Sequence, residues 1–246
     1  MKEKYFNVYL EFDKARVDSV IQDTIAGKGK GYVCSVESNN LTVANTDPEF
    51  LTAVNEAMVN ICDGSMMALI LSIINKRNLK PYVGADLFIN YVSMCKYRQY
   101  FLGNTRKVLD GLRNNLVKID PGISDMIFEE LPFRKVEEFD YVSIAASINR
   151  VKPDIIWVSL GAPKQEFFMH NLLPHLDQGV MFGFGAIFNF YSGVGKVRRA
   201  PRCLRRIYME WLYRAFNEPR KNIPRYCRFI RILPSLIRQE KRKSRP

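Results

Sequence analysis

Three short stretches hold the residues whose types and spacing could do chemistry. The first is S-L-G-A-P-K-Q-E at 159–166, directly after the apolar run IIWVSL. Gly161 permits a tight turn, Pro163 suits the first helical position, and backbone amides exposed at a helix start form an anion site. Lys164 and Gln165 then stand at the carboxyl end of a strand, where phosphates or sugar hydroxyls can be held. The second is Asp63 in N-I-C-D-G-S. A loop carboxylate beside Gly64 can take a proton from an attacking hydroxyl, the work of the base in an inverting glycosyl transfer. The third is Gly84-Ala85-Asp86, a helix start capped by its aspartate. Taken singly, each pattern also has a plain structural reading. Gly-Pro turns open many helices, Asp-Gly is a common turn pair, and aspartates cap helices that bind nothing.

Metal chemistry has little support in the sequence. The only histidines, His170 and His175, stand five apart with no carboxylate at ligand spacing, and no D-x-D triplet is present to hold Mg²⁺ or Mn²⁺. A metal-independent reaction without a cofactor is expected, in which amides, hydroxyls, Lys and Arg offset the charge of a leaving diphosphate. The five cysteines, Cys34, Cys62, Cys95, Cys203 and Cys227, are odd in number and form no C-x-x-C pair, which fits a reducing compartment. The amino-terminal residues MKEKYFNVYLEFDKARVD lack an apolar stretch of signal-peptide length, and no run of 18 apolar residues follows. A cytoplasmic protein that does not span a bilayer is expected.

The formal charge of +12 is unevenly spread. From Lys196 to Pro246 stand 17 Lys and Arg against three carboxylates, a local charge of +14, whereas the preceding 195 residues carry 20 basic and 22 acidic side chains. All the excess positive charge therefore sits near the carboxyl terminus. Such asymmetry points to a polyanionic partner, nucleic acid or an anionic membrane, contacted by the tail alone.

To position the candidate groups, short apolar runs alternate with segments of helical spacing. Residues 31–36, 99–103, 155–160 and 180–188 read as buried strands. Segments 47–60 (opened by Asp47 and Pro48), 105–115, 137–150 and 163–175 read as helices. The alternation predicts an α/β fold with a mainly parallel sheet, helices on both faces, and ligands at the carboxyl ends of the strands. A catalytic domain over 1–195 and a basic helical appendage over 196–246 are expected. In the appendage, RCLRRIYMEWLYRAF places Leu204, Ile207, Tyr208, Trp211 and Leu212 on one helical face, with Arg202, Arg205 and Arg206 largely elsewhere. That stretch suits an ordinary surface helix equally well. Pro219 and Pro224 then break the pattern before basic residues interleave with Phe229, Ile230, Ile232, Leu233, Leu236 and Ile237. The second stretch reads as a helix lying in a membrane interface.

In combination the motifs are more specific than any is alone. D-G-S at 63–65, G-A-D-L at 84–87, P-F-R at 132–134, P-D-I-I-W-V-S-L-G-A-P-K-Q-E at 153–166, G-F-G-A-I-F-N-F-Y-S-G at 183–193, R-R-A-P at 198–201 and E-W-L-Y-R-x-x-x-E-P-R at 210–220 occur in that order. From about Gly31 to Arg228 the chain closely resembles the WecG/TagA/CpsF glycosyltransferases. The resemblance implies a Rossmann-like fold and a UDP-sugar donor, typically UDP-N-acetylmannosamine or its uronic acid. It implies a polyprenyl-diphosphate-linked N-acetylglucosamine acceptor, as in teichoic acid, enterobacterial common antigen or capsule assembly. Inversion without a metal is implied too, with Asp63 as base. Substrate-binding positions then fall on Gly64, Asp86, Gly161, Lys164, Gln165, Glu166, Asn189 and Arg199. Arg214, Arg220 and Arg225 of the appendage are implied to reach the active site while the appendage rests on the inner face of the cell membrane.

Three positions depart from the family pattern. The Thr-x-Asn or Thr-Asn element after the first strand is replaced by S-V-E-S-N-N at 35–40, with Glu37 in its midst. Pro81 stands where many members carry arginine, and Asn189 where an aspartate is usual. Two rival readings remain beside the transferase. A nucleic-acid-binding protein would use the basic tail but leave Asp63 and P-K-Q-E without a role. A non-catalytic scaffold of a polysaccharide assembly complex would explain the departures, although Asp63 and Gln165 are retained. The transferase is the expected function, and no nucleic-acid partner is expected.

Overall fold

The computed structural model describes residues 3–194, 199–201, 203–204 and 209–243. A short antiparallel hairpin, β1 (Lys4–Tyr5) and β2 (Val8–Tyr9), precedes six further strands. These are β3 (Lys30–Val36), β4 (Val59–Cys62), β5 (Gln99–Gly103), β6 (Ile127–Glu129), β7 (Ile155–Ser159) and β8 (Gly179–Gly183). They form one parallel sheet in the order β4-β3-β8-β7-β5-β6. The helices are α1 (Lys14–Ala26), α2 (Ser38–Ala44), α3 (Pro48–Asn55), α4 (Ser65–Asn75), α5 (Gly84–Ser93), α6 (Arg106–Leu116), α7 (Tyr141–Val151), α8 (Lys164–Leu172) and α9 (Gly185–Ser192), followed by α10 (Glu210–Asn217) and α11 (Pro219–Lys243).

Covering both faces of a parallel sheet makes its strands near-continuously apolar, and their residues alternate between two cores. Along β7, Ile156 and Val158 join the cluster that also holds Phe168, Met169 and Leu172 of α8. Ile155 and Trp157 join the other, with Leu109, Leu112 and Leu116 of α6 and Phe88 and Tyr91 of α5. The expected Rossmann-like α/β arrangement is therefore the one this chain adopts.

Two expected elements are corrected. The apolar run at 180–188 is strand only to Gly183, and α9 begins at Gly185. Hydrophobicity continues across that junction because α9 buries Ile187 and Phe188. The expected helix over 47–60 ends at Asn55, and Val59–Cys62 pairs with β3 as the edge strand β4. Four buried residues there are held by sheet pairing, which overrides the helical spacing.

The tail is also corrected. Pro219 opens α11 instead of breaking a helix, and Pro224 and Pro234 lie inside it. A proline at the first position lacks only an amide that has no intrahelical partner. The two internal prolines are exposed, and tertiary packing of the opposite face holds the helix together. Phe229 and Leu236 are buried in the α8-side core, with Ile232, Leu233 and Ile237 packed against it; only Ile230 of the expected interfacial stripe is well exposed. That stripe is thus mainly a core contact rather than a membrane face. Nearer the carboxyl end, buried Glu240 accepts a hydrogen bond from the Phe6 amide at 3.0 Å, clamping α11 to the hairpin turn. Arg202, Arg205, Arg206, Ile207 and Tyr208 lie outside the described residues.

Phe229→Ala is expected to lower unfolding free energy by about 3–5 kcal/mol, the cost of emptying a buried aromatic site. Ile230→Ala, one residue along the exposed side, should change it by about 0.5 kcal/mol or less. Denaturant titration of the two variants checks the difference; equal effects would contradict this packing.

Candidate active site

The turns after β3, β4, β5, β7 and β8 open into one cavity of about 550 Å³. Helix α2 leaves β3 to pack with α3 and α11, whereas α9 leaves the neighbouring β8 to pack with α6. Successive connections thus part to opposite faces, which opens a crevice at the strand ends. The tail closes it: Trp211 and Arg214 of α10 and Lys221, Asn222, Arg225 and Tyr226 of α11 line the same cavity.

Asp63 stands immediately after β4, in that lining. Ser35, near the end of β3, donates from Oγ to Asp63 Oδ2 at 2.6 Å, and the Gly84 amide at the start of α5 donates to Oδ1 at 2.9 Å. The Asp63 amide in turn donates to the Val36 carbonyl at 3.0 Å. The carboxylate is half-buried and fixed from two sides. Each oxygen keeps a second acceptor position, so the group can still take a proton.

Gln165 lies beneath the cavity and is almost fully buried. Its Oε1 accepts from the Gly161 amide at 3.1 Å and the Gly185 amide at 3.0 Å. Its Nε2 donates to the Gly183 carbonyl at 2.8 Å and Glu166 Oε1 at 3.1 Å. The side chain is therefore saturated, and it ties the turn after β7 to the turn after β8. The two turns come so close that a Cβ on Gly185 would stand 2.8 Å from Gly161 backbone atoms. The expected anion site at the start of α8 is partly used internally, because the Gln165 amide donates to the Gly161 carbonyl.

Glu166 is fully buried, accepts from Asn40 Nδ2 at 2.8 Å, and has no hydrogen-bond partner for Oε2. Burial pushes its carboxyl up to about 7, against the opposing effect of the Gln165 and Asn40 hydrogen bonds. Glu166 thus joins α2 to the Gln165 brace from below the cavity instead of lining it.

Among the described residues, four cations line the cavity: Lys164, Arg214, Lys221 and Arg225. Lys164 donates to the Arg134 carbonyl and lies over the Phe133 and Phe139 rings at 5.2 and 4.9 Å. Arg214 lies 3.9 Å from Glu37 Oε2 and 5.4 Å from the Phe190 ring centre. Burial opposes its charge, but Glu37, Glu210 and Asp63 together hold its pKa above the ordinary value.

Gly64, Gly161 and Asn189 also line the cavity, but Asp86, Arg199 and Arg220 do not. Asp86 sits in the first turn of α5 rather than capping it, and pairs with Arg199 at 2.6 Å. Arg220 is exposed at the start of α11. Sequence reasoning missed Ser35 as the partner of Asp63, since a serine ending a strand carries no pattern of its own. Glu37 drew notice only as a departure. Phe133, a fully exposed aromatic at the rim, and Trp211 and Tyr226, which meet edge to face, were legible only as members of motifs or apolar stripes.

A carboxylate fixed at the strand ends of a parallel sheet, facing cations from a closing tail, has the layout of a group-transfer site for a charged donor. The chain belongs to the glycosyl transferase WecG/TagA/CpsF family, whose sequence profile it matches over residues 6–246. It is therefore a glycosyltransferase. Over 237 residues it is 26% identical to an N-acetylglucosaminyldiphosphoundecaprenol N-acetyl-beta-D-mannosaminyltransferase of Bacillus spizizenii, covering 93% of this chain and 87% of the relative. The enzyme of the same name from Bacillus subtilis is 25% identical, with 92% and 87% covered. That of Staphylococcus aureus strain MW2 is 24% identical, with 85% and 83% covered.

Glu166 gives the site a pH signature. Its folded pKa of about 7 lies above the ordinary 4.5, so its stabilising contribution is complete below about pH 4.5 and lost as pH rises through 7. Glu166→Gln, which keeps an acceptor for Asn40, should remove this loss, on the order of 3 kcal/mol between pH 4.5 and 8. Melting temperatures of wild type and variant across that range check it. Parallel curves would contradict the buried carboxyl.

Proposed function

We propose that the protein transfers N-acetylmannosamine from a UDP donor to N-acetylglucosamine carried on a polyprenyl diphosphate, with inversion and without a metal. The observation that carries this reading is Asp63, fixed by Ser35 and Gly84 in a cavity that Arg214 enters from the tail. Asp63 accepts the proton of the acceptor hydroxyl as its oxygen bonds to the anomeric carbon. The bond from that carbon to the diphosphate breaks on the opposite side, and UDP leaves with the electron pair. The beta linkage in the relatives' names fits such an inversion.

Charge on the leaving diphosphate is offset by Arg214, Arg225, Lys221 and Lys164 in this reading. Gln165 acts as a brace that shapes the pocket rather than as a sugar ligand. Of the two donors the family suggests, the neutral sugar suits the cavity better. Glu37, Glu130, Glu210 and Glu218 line it in addition to Asp63, so a uronate would meet carboxylates. The enzyme works on the inner face of the cell membrane in this proposal. Among the described residues no helix is long and apolar enough to cross a membrane.

Incubation with a panel of UDP-N-acetylhexosamines, a UDP-uronate and a lipid-diphosphate N-acetylglucosamine acceptor tests the reading. A product of the mass of one added N-acetylmannosamine, beta-linked, is expected, and turnover should persist in excess EDTA. No product with any donor would favour the scaffold reading, and loss on chelation with rescue by Mg²⁺ would overturn the metal-free mechanism. Arg214→Ala should lower kcat by about 10²–10³, the usual scale of a lost transition-state charge partner.

A further inference from the structure

The outer face of α4 is apolar in a way that the core does not account for. Its sequence, SMMALILSIIN, has no charged residue, and Met67, Ala68 and Leu71 already fill its buried line. Leu69 and Ile73 are nevertheless 53% and 70% exposed, while Met66, Ile70 and Ile74 beside them are half-buried and pack in part against the α8-side core. Positions 66, 69, 70, 73 and 74 share one helical face. Helix α6 shows the ordinary alternative, with Arg106, Lys107, Asp110 and Arg113 standing opposite its buried leucines.

We propose that this stripe of α4 inserts into the headgroup and acyl boundary of an anionic lipid bilayer and sets the height of the active site above it. The proposal rests on the reading that the acceptor is lipid-borne.

Two observations favour a bilayer as the occupant. First, basic side chains are exposed on the segments that adjoin α4. Lys76 and Lys80 are exposed just beyond its carboxyl end, and α11, packed against α4, exposes Arg228, Arg231, Arg238 and Lys241. An apolar face with Lys and Arg on adjoining segments matches the boundary between acyl chains and anionic headgroups. Secondly, the stripe is continuous with the cavity. Asp63 and Gly64 directly precede α4, and Met66 lines the cavity while sharing the outer face. Leu69 and Ile73 lie about one and two turns farther along, so the whole stripe from Met66 to Ile74 spans about 12 Å. A helix held at that depth places the cavity mouth at headgroup level, where a sugar on a membrane-anchored diphosphate is presented. The tail then contributes charge and closure, and α4 supplies the insertion that the buried side of α11 cannot.

The test uses the full chain with vesicles of phosphatidylglycerol and phosphatidylcholine. Wild type and Leu69→Ser/Ile73→Ser are compared by co-sedimentation at low and high salt, since screening weakens the basic contribution and leaves the apolar one. The double variant should bind about tenfold or more weakly at high salt, while its melting temperature and its turnover on a short-chain, water-soluble acceptor stay at wild-type values. In a second variant, Leu69→Trp, vesicle addition should shift the emission of the new indole to the blue. Unchanged vesicle binding by the double variant, or no shift for Leu69→Trp, overturns the proposal. So does a change in oligomeric state by light scattering with vesicle binding intact, because a second copy of the chain would then cover the face. Turnover of wild type on the soluble acceptor reports on the transfer chemistry independently of the vesicle result.

Discussion

Gln165 uses every hydrogen-bonding position it has, and two turns at the strand ends take their places from it. A parallel sheet delivers its turns to one end but does not fix them relative to one another. Here one buried amide holds the backbone after β7 and after β8 in a single frame, through Gly161, Gly183 and Gly185. Glu166, beside it, extends the frame to Asn40 of α2 and hence to the loop after β3. Replacing either partner leaves buried donors or acceptors unmatched, which costs more than the bond itself contributes. The floor of the cavity is therefore rigid, and its chemistry resides in groups that stand on it.

Closure comes from the opposite direction in sequence. The hairpin turn at Phe6 and Asn7 and the last turns of α11 hold one another through Glu240 and Gln239, with Asn45 between them. Anchored there and at Phe229, α11 carries its first turns over the cavity with Arg225 and Tyr226, and α10 adds Arg214 and Trp211. The positive charge of the tail thus divides. Among the described residues, Arg214, Lys221 and Arg225 line the cavity, whereas Arg228, Arg231, Arg238 and Lys241 are exposed. In the proposed reading, this division lets one segment serve both the diphosphate and a membrane surface.

Much of this was legible in the sequence. Strands β3, β5 and β7 were readable because strands buried on both faces are near-continuously apolar, and β5 and β7 also end at Gly103 and Ser159. Apolarity did not mark where β8 becomes α9, since Phe182 and Phe188 are buried in the same cluster from two kinds of element. Strand β4 was hidden because Val59–Cys62 continues the spacing of α3, and only pairing with β3 decides its conformation. Asp63, Gln165 and Arg214 were found through their motifs, but the motif could not say that Gln165 faces inward. Ser35 was missed because its role arises where two strands end side by side. The interfacial reading of α11 failed for a related reason: a stripe shows that a face is covered, and not by what. That covering is mainly the core, while α4 leaves Leu69 and Ile73 exposed.

Proton acceptance by Asp63 is the step on which the proposed transfer depends. Asn fits the same space and can still accept a hydrogen bond from Ser35 or Gly84, so the fold should survive the exchange. The most direct measurement is kcat of Asp63→Asn, with donor KM and melting temperature determined on the same preparation. With Asp63 as the base, kcat falls by about 10² or more, the scale of a lost general base, while KM and melting temperature stay close to wild type. Near-normal kcat in the folded variant would contradict that role.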